Sequence, residues 1–190
     1  MSENLFDMGI GQLVVARALP GGLVSAGFFL LDTHCLGVKD AFFPEMMRDD
    51  FEHAQERTWD VQTFIAIDPG RARKLIAEAV AYANNPGFPP AREFAAIEPI
   101  FGGILPAGDD ETFIFGKEGK PLYIAGPSHT PAQAWRIIRT LTNKLGADGF
   151  HFIAPLSDAD FPGFAADSAD FEVDAAGDPM TEFGELQPSY

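Results

Sequence analysis

Two apolar runs near the start of the chain, residues 12–19 and 23–32, are separated only by Pro20-Gly21-Gly22. Glycine and proline in so short a connection favour a turn, and two strands joined by such a turn form a hairpin. Both runs are apolar on both faces. This pattern is typical of central strands that other elements cover on both sides.

Capping residues place the helices further along the chain. Asp68-Pro69 and Thr130-Pro131 are each typical of a helix start, and an apolar stripe at helical spacing follows both. Residues 34–43 are expected to leave the sheet. The other predicted elements are an irregular helix within 45–56, a strand within 59–67, a short helix after Pro90, a hairpin of 112–115 with 121–125, and a strand within 150–154.

Hairpins dominate this order of elements, and strict β-α-β alternation is absent. The sequence therefore predicts an α+β fold, with an antiparallel or mixed sheet of about five strands and two to four helices packed on it. The core domain is expected to span residues 1–156. A chain of this length buries roughly two-thirds of its unfolded surface, so it needs no metal or disulfide for stability.

The charges of this chain are unevenly distributed. All 13 Lys and Arg precede residue 157, whereas nine of the 28 acids follow residue 156, which leaves the core with a charge of −6. Residues 157–190 are therefore predicted to be an acidic, flexible tail, whose four phenylalanines can dock on the core or on a partner. The chain has no basic stripe, so no nucleic-acid binding is expected. Acidic surfaces favour a basic protein partner.

The cellular compartment follows from the cysteine count and from hydropathy. Cys35 is the single cysteine, which excludes an internal disulfide and fits a reducing compartment. The N-terminal residues have acids where a signal peptide has bases. The longest apolar stretch, Leu23 to Leu31, is far shorter than the ~20 residues of a membrane helix. We expect a cytoplasmic protein with no membrane association.

The densest polar cluster is Asp32-Thr33-His34-Cys35, followed by Lys39-Asp40, just beyond an apolar strand. A thiol, an imidazole, an ammonium and carboxylates are the groups that nucleophilic catalysis uses. The candidate catalytic residues are Cys35, Lys39, Asp40 and His151, with His129 as a second possible base. The structural alternative, which we favour, makes Cys35 a small buried hydrophobe, Lys39 and Asp40 a structural pair, and His151 an ordinary strand histidine.

No cofactor or metal site is expected. The four histidines lack the i, i+3 or i+4 spacing of zinc ligands, and the glycine-rich segment 116–120 lacks the P-loop spacing. Gly126-Pro127-Ser128 can present backbone N–H groups to an anion, or it is a plain turn. Phe42-Phe43 are either core residues, which we favour, or part of an exposed apolar face for a partner.

Several segments together resemble a bacterial protein family of unknown function. The most specific is Cys35-Leu36-Gly37-Val38-Lys39-Asp40. The others are Val15-Ala16-Arg17, Pro20-Gly21, Gly27 to Asp32, Asp68-Pro69, Leu75-Ile76, Ala79, Tyr82-Ala83, Gly87-Phe88, Pro90, Phe94, Ile100-Phe101-Gly102, Phe115 to Pro121, Gly126-Pro127 and Gly149-Phe150-His151. The resemblance implies a bacterial, cytoplasmic protein and no particular activity. Ala91 departs from it, because the family tends to have a histidine there.

Two functions remain open from the sequence. The first, which we favour, is a non-catalytic protein-interaction or accessory module whose acidic tail modulates the contact with a partner. The alternative is a small hydrolase that uses Cys35 or the carboxylates of Asp32 and Asp40. Binding of a small molecule near Gly126 is a third, weaker possibility. The sequence does not predict an oligomeric state.

Overall fold

The first two strands form the predicted hairpin. In the computed structural model, which describes residues 1–59, 62–108, 110 and 112–155, β1 (Ile10–Ala18) pairs antiparallel with β2 (Leu23–Asp32). The connection is a short 3₁₀ turn, Pro20–Gly22, in which Gly21 adopts a φ of 77°. The predicted acidic tail lies outside the described residues.

Two further strands pair with β2 on its other side. They are β3 (Gly37–Phe42) and β4 (Glu45–Met47), both antiparallel to β2, and they complete a four-stranded sheet in the described chain. The expectation that residues 34–43 leave the sheet is therefore wrong. Gly37, at a φ of 68°, begins β3 after a four-residue turn and lets the chain pair with β2 again.

Helices cover one face of this sheet, here called the inner face. They are α1 (Leu5–Met8), α3 (Pro69–Asn84) and α4 (Phe94–Ile97), and a 3₁₀ segment, Glu98–Phe101, follows α4. The predicted start of α3 is confirmed, since the Asp68 carboxylate accepts the N–H groups of Gly70 and Arg71. The main core lies between these elements and includes Leu13, Phe29, Leu31, Leu75, Ile76, Ile97 and Phe101.

The opposite face, here called the outer face, carries Val14, Ala16, Phe28 and Phe42. The expectation of cover on both sides holds only in part. α2 (Arg48–Trp59) follows β4 and crosses this face. The sheet residues Val24 and Ala26 are buried, but Phe42 remains 55% exposed. One amphipathic helix is too narrow to cover three strands, so an apolar surface stays open.

The C-terminal part of the described chain is a βαβ unit. β5 (Leu122–Ile124) and β6 (His151–Ile153) are parallel, and α5 (Pro131–Leu145) connects them. This arrangement corrects the predicted hairpin, because residues 112–115 form no strand. Thr130 and Gln133 cap α5 reciprocally, as its predicted start requires. Tyr123, Ile138, Leu141 and Phe150 form a second core cluster.

The predicted element counts also differ from the structure. The described chain has five helices and a four-stranded sheet beside a two-stranded one, against an expectation of two to four helices and about five strands in one sheet. The strand predicted within 59–67 is wrong for residues 62–67, where only Phe64 forms an isolated bridge, with Ser2. The α+β class is correct. No helix in the described ranges is long and apolar enough to cross a bilayer.

Candidate functional site

Asp32 organises the polar turn between β2 and β3. Its Oδ1 accepts the backbone N–H groups of His34 at 3.0 Å and of Cys35 at 2.8 Å. The side chain is almost fully buried, and this desolvation raises the pKa of Asp32, although the charge of Lys39 and the backbone N–H groups oppose the shift. Asp32 thus shapes the turn and has little surface with which to meet a substrate.

His34 is also held inside the protein. Its Nε2 lies 3.0 Å from the carbonyl oxygen of Phe6, so Nε2 carries the proton and donates. Its Nδ1 is buried without a hydrogen-bond partner, and the ring packs so closely on Gly9 that a Cβ there would lie 2.1 Å from Nδ1. His34 therefore ties the turn to α1 and does not face solvent.

Cys35 lies in the second core cluster with no exposed surface. Burial raises the pKa of its thiol strongly, and the nearby Asp32 carboxylate raises it further. Cys35 shares this cluster with Tyr123 and Leu141, as the structural alternative for this cysteine expects. Because the thiolate is the nucleophilic form, this position opposes a catalytic role.

We expect the folded protein to react with iodoacetamide at about pH 8 at least about 100-fold more slowly than the unfolded chain. Burial both blocks access to the sulfur and disfavours the thiolate. Mass spectrometry of the alkylated fraction over time, with and without urea, measures the two rates on the single cysteine. Rapid alkylation of the folded protein would revive the hydrolase alternative.

Lys39 and Asp40 separate from each other at a bulge. Leu30 of β2 pairs with Asp40, and the next residue, Leu31, pairs with Val38. Lys39 is therefore an extra, unpaired residue in β3, which makes a β-bulge. The ammonium of Lys39 acts electrostatically on Asp32, Cys35 and His129. Asp40 instead accepts the N–H of its neighbour Ala41 at 2.8 Å. The predicted Lys39–Asp40 pair is not an ion pair in the described structure.

Tyr123 and His129 form a hydrogen-bonded pair that the sequence did not single out as a pair. Tyr123 Oη lies 2.6 Å from His129 Nδ1, which also receives the Gly126 N–H at 3.3 Å. With two donors on Nδ1, the imidazole proton is on Nε2. Burial and the charge of Lys39 lower the pKa of His129, and burial raises the pKa of Tyr123 to about 12. His129 thus supports the turn that begins at Gly126 and does not serve Cys35.

The candidate catalytic residues do not converge on one cleft. His151 is exposed on β6, Cys35 is buried, and Asp40 is bound to its own backbone neighbour. No group of three potential metal ligands occurs within the described ranges. The polar turn can hold a fold together, but its buried groups offer no accessible nucleophile with a base beside it.

The outer face of the sheet, unlike the polar turn, presents an accessible apolar surface. Val14, Phe28 and Phe42 form a row across β1, β2 and β3, and the rings of Phe28 and Phe42 are parallel with centroids 4.6 Å apart. The ring centroid of Phe51, in α2, lies 6.5 Å from that of Phe28. Phe43 and Met47 are also exposed, but strand alternation places both on the opposite side of the sheet from Phe42, since Met47 pairs with Leu23 and not with the outward Val24. We call the set Phe28, Phe42 and Phe51 the aromatic surface. The exposure of Phe42 and Phe43 contradicts our preference for core packing at both residues.

Acidic side chains lie on β4 and on α2, the helix whose Phe51 packs beside Phe28. Residues 45–57 carry five acids and two arginines, all exposed, which we call the acidic rim. Its acids are Glu45, Asp49, Asp50, Glu52 and Glu56. A groove of about 420 Å³ opens between α2 and the outer face, and a neighbouring one of about 300 Å³ continues past Glu52. An apolar floor with an acidic border suits a ligand that is apolar at its centre and basic at its ends.

Comparisons with known proteins do not connect this site to a related protein. A scan of protein-family models, a search of curated proteins and a search of solved structures each found no match to the chain. The aromatic surface with its acidic rim is therefore identified as the candidate functional site from its own geometry.

Proposed function

We propose that the chain is a non-catalytic, cytoplasmic protein-interaction module of the bacterial family that it resembles, and that it binds a basic protein partner through the aromatic surface. The observation that carries the proposal is the 55% exposure of Phe42 above the ring of Phe28. Exposed apolar patches with charged borders are typical of protein-binding surfaces.

Aromatic side chains supply much of the binding energy of protein interfaces, because they bury a large area with few rotatable bonds. Phe42 offers this type of contact, and the rings of Phe28 and Phe51 lie beside it. The acidic rim adds long-range attraction for a basic partner, which raises the association rate more than the final affinity. The acids of residues 157–190 add charge of the same sign.

The hydrolase alternative has less support. An enzyme of that type needs an accessible nucleophile beside a base, whereas Cys35 has no exposed surface and Asp32 accepts two backbone N–H groups. The interaction module requires only a stable exposed surface, which the outer face provides.

The test uses the full chain to capture partners from a bacterial lysate, followed by affinity measurement on each partner identified. Phe42→Ser should weaken binding by at least about tenfold, because the exposed ring that stacks on Phe28 is removed. Ile114→Ser is the matched control, since Ile114 is 82% exposed outside the aromatic surface. Unchanged binding after Phe42→Ser, or equal loss in the control, would overturn the proposal.

A further inference from the structure

Among the described residues, the edge of β1 that faces away from β2 has backbone groups without a hydrogen-bond partner, beside the groove. β2 is the one strand that pairs with β1 in the described structure. On the outward edge of β1, away from β2, Ser2 donates its N–H to the Gln12 carbonyl. The Gln12 N–H in turn donates to Ser2 Oγ at 2.7 Å. Since strand residues alternate in direction, Val14, Ala16 and Ala18 direct their N–H and C=O groups to the same edge as Gln12.

No backbone hydrogen bond joins these three residues to another described segment at that edge. Ala16 and Ala18 are exposed, in agreement with an open edge. An open edge strand presents a row of donors and acceptors that an extended peptide can complete.

The two grooves follow this edge. The first is lined by Val14, Ala16, Phe28, Phe51, Phe64 and Ile67, among others. The second is lined by Ala16, Ala18, Val24, Phe51 and Gln55 together with the charged residues Arg48 and Glu52. Ala16 and Phe51 line both, so the grooves adjoin. A strand added at β1 would place every second side chain on the outer face, over this apolar floor.

Charge decides which occupant fits. The second groove is lined by Glu52 and also by Arg48, and the rest of the acidic rim has four acids against one arginine, so the charge beside the grooves is net negative. The chain's own residues 157–190 have nine acids and no base, so they would face charge of the same sign. A second copy that paired β1 with β1 would bring two acidic rims together. A basic partner segment meets neither repulsion.

We propose that the β1 edge from Val14 to Ala18 binds an extended, basic segment of a partner protein by strand addition, with alternate apolar side chains in the grooves. This inference rests on the proposed function and specifies how the partner of the same surface is held. Backbone hydrogen bonds to Val14 and Ala16 give the segment its register, and basic residues at its ends meet the acidic rim.

The probe is a synthetic peptide, Lys-Lys-Val-Thr-Val-Thr-Val-Lys-Lys, with blocked ends and a fluorescent label. Its valines occupy every second position, so that they can enter the grooves. Its lysines lie at both ends, where they can contact the acidic rim. The matched peptides replace every lysine with glutamate, or carry N-methyl groups on the valines. Fluorescence anisotropy with the full-length protein should show the parent peptide binding at least about tenfold more tightly than either, with affinity falling as salt rises.

Two protein variants locate the site. Ala16→Pro removes an outward N–H without removing a bond to β2, so the variant should fold, by circular dichroism, and lose the peptide. Glu52→Lys should weaken binding of the parent peptide by about tenfold through charge reversal, whereas Glu118→Lys, in the turn between Lys117 and Lys120 outside the groove, should not. Equal binding of the N-methylated peptide, or no effect of Glu52→Lys, would overturn strand addition.

The outcomes also separate this inference from the proposed function. Loss of a captured partner in the Phe42→Ser variant, with the same partner unaffected by Ala16→Pro and Glu52→Lys, would overturn strand addition and leave the interaction module standing. Peptide binding that Ala16→Pro abolishes, with no partner captured specifically, would support the edge site and overturn the proposed function.

Discussion

Replacing Gly37 with alanine is expected to lower the free energy of unfolding by about 3 kcal/mol. Gly37 has a φ of 68°, which other residues adopt at a cost. An added Cβ would lie 2.6 Å from the Ala79 carbonyl oxygen and 2.7 Å from the Ala83 Cβ. Both belong to α3, whose backbone cannot yield without loosening the inner core.

Gly119→Ala is the matched control for this substitution. Gly119 has a φ of 78°, but nothing lies within 4 Å of the Cβ that alanine would add. Only the backbone conformation should oppose the change, at about 1 kcal/mol. Urea unfolding followed by circular dichroism measures the free energy of unfolding of both variants. An equal decrease in the two would show that the close contact of residue 37 with α3 does not oppose the added Cβ.

Replacing Asp32 with alanine is expected to destabilise the protein by about 3 kcal/mol, because two buried N–H groups lose their acceptor. Those groups belong to His34 and Cys35. Asp32→Asn keeps an oxygen in place of Oδ1, so its loss should be less than half as large. Urea unfolding measures both variants. Equal destabilisation by asparagine would show that the negative charge of Asp32, and not its acceptor role, matters.

The pH dependence of the Asp32→Asn variant gives an independent check. Burial raises the pKa of Asp32 above its ordinary value, so the folded state holds this proton more strongly than the unfolded state. The wild type therefore loses stability from this group as the pH rises above the ordinary pKa of an aspartate, about 4, and asparagine does not. The free energy of unfolding of the variant should rise relative to wild type over this range. A relative fall would mean that Lys39 stabilises the carboxylate more than burial penalises it.

Local sequence signals predicted the elements that depend on neighbouring residues. The hairpin of β1 and β2 has its turn residues between two apolar runs, and α3 and α5 begin where Asp68 and Thr130 cap them. Turn and capping preferences act over a few residues, so the sequence reveals them directly. The buried position of Cys35 also followed from the usual behaviour of a free cysteine.

Long-range pairing could not be predicted in the same way. The alternation in residues 59–67 resembles a strand, but Trp59 ends α2 and residues 62–67 only bridge to Ser2 through Phe64. β5 and β6 pair in parallel across the whole of α5. Such partners are chosen by the packing of the complete core, and short apolar runs look alike before that choice is made.

The features of the candidate site also fall into those that the sequence determined and those that depended on the tertiary structure. The sequence alone determined the free cysteine, the acidic composition and the pair Phe42-Phe43 beside the acids of residues 45–57. Only the tertiary structure decided that Cys35 is buried, that Tyr123 bonds His129, and that Phe42 lies exposed over Phe28. The reason is that residue type fixes what a side chain can do, whereas burial and neighbours depend on strands and helices that are distant in sequence.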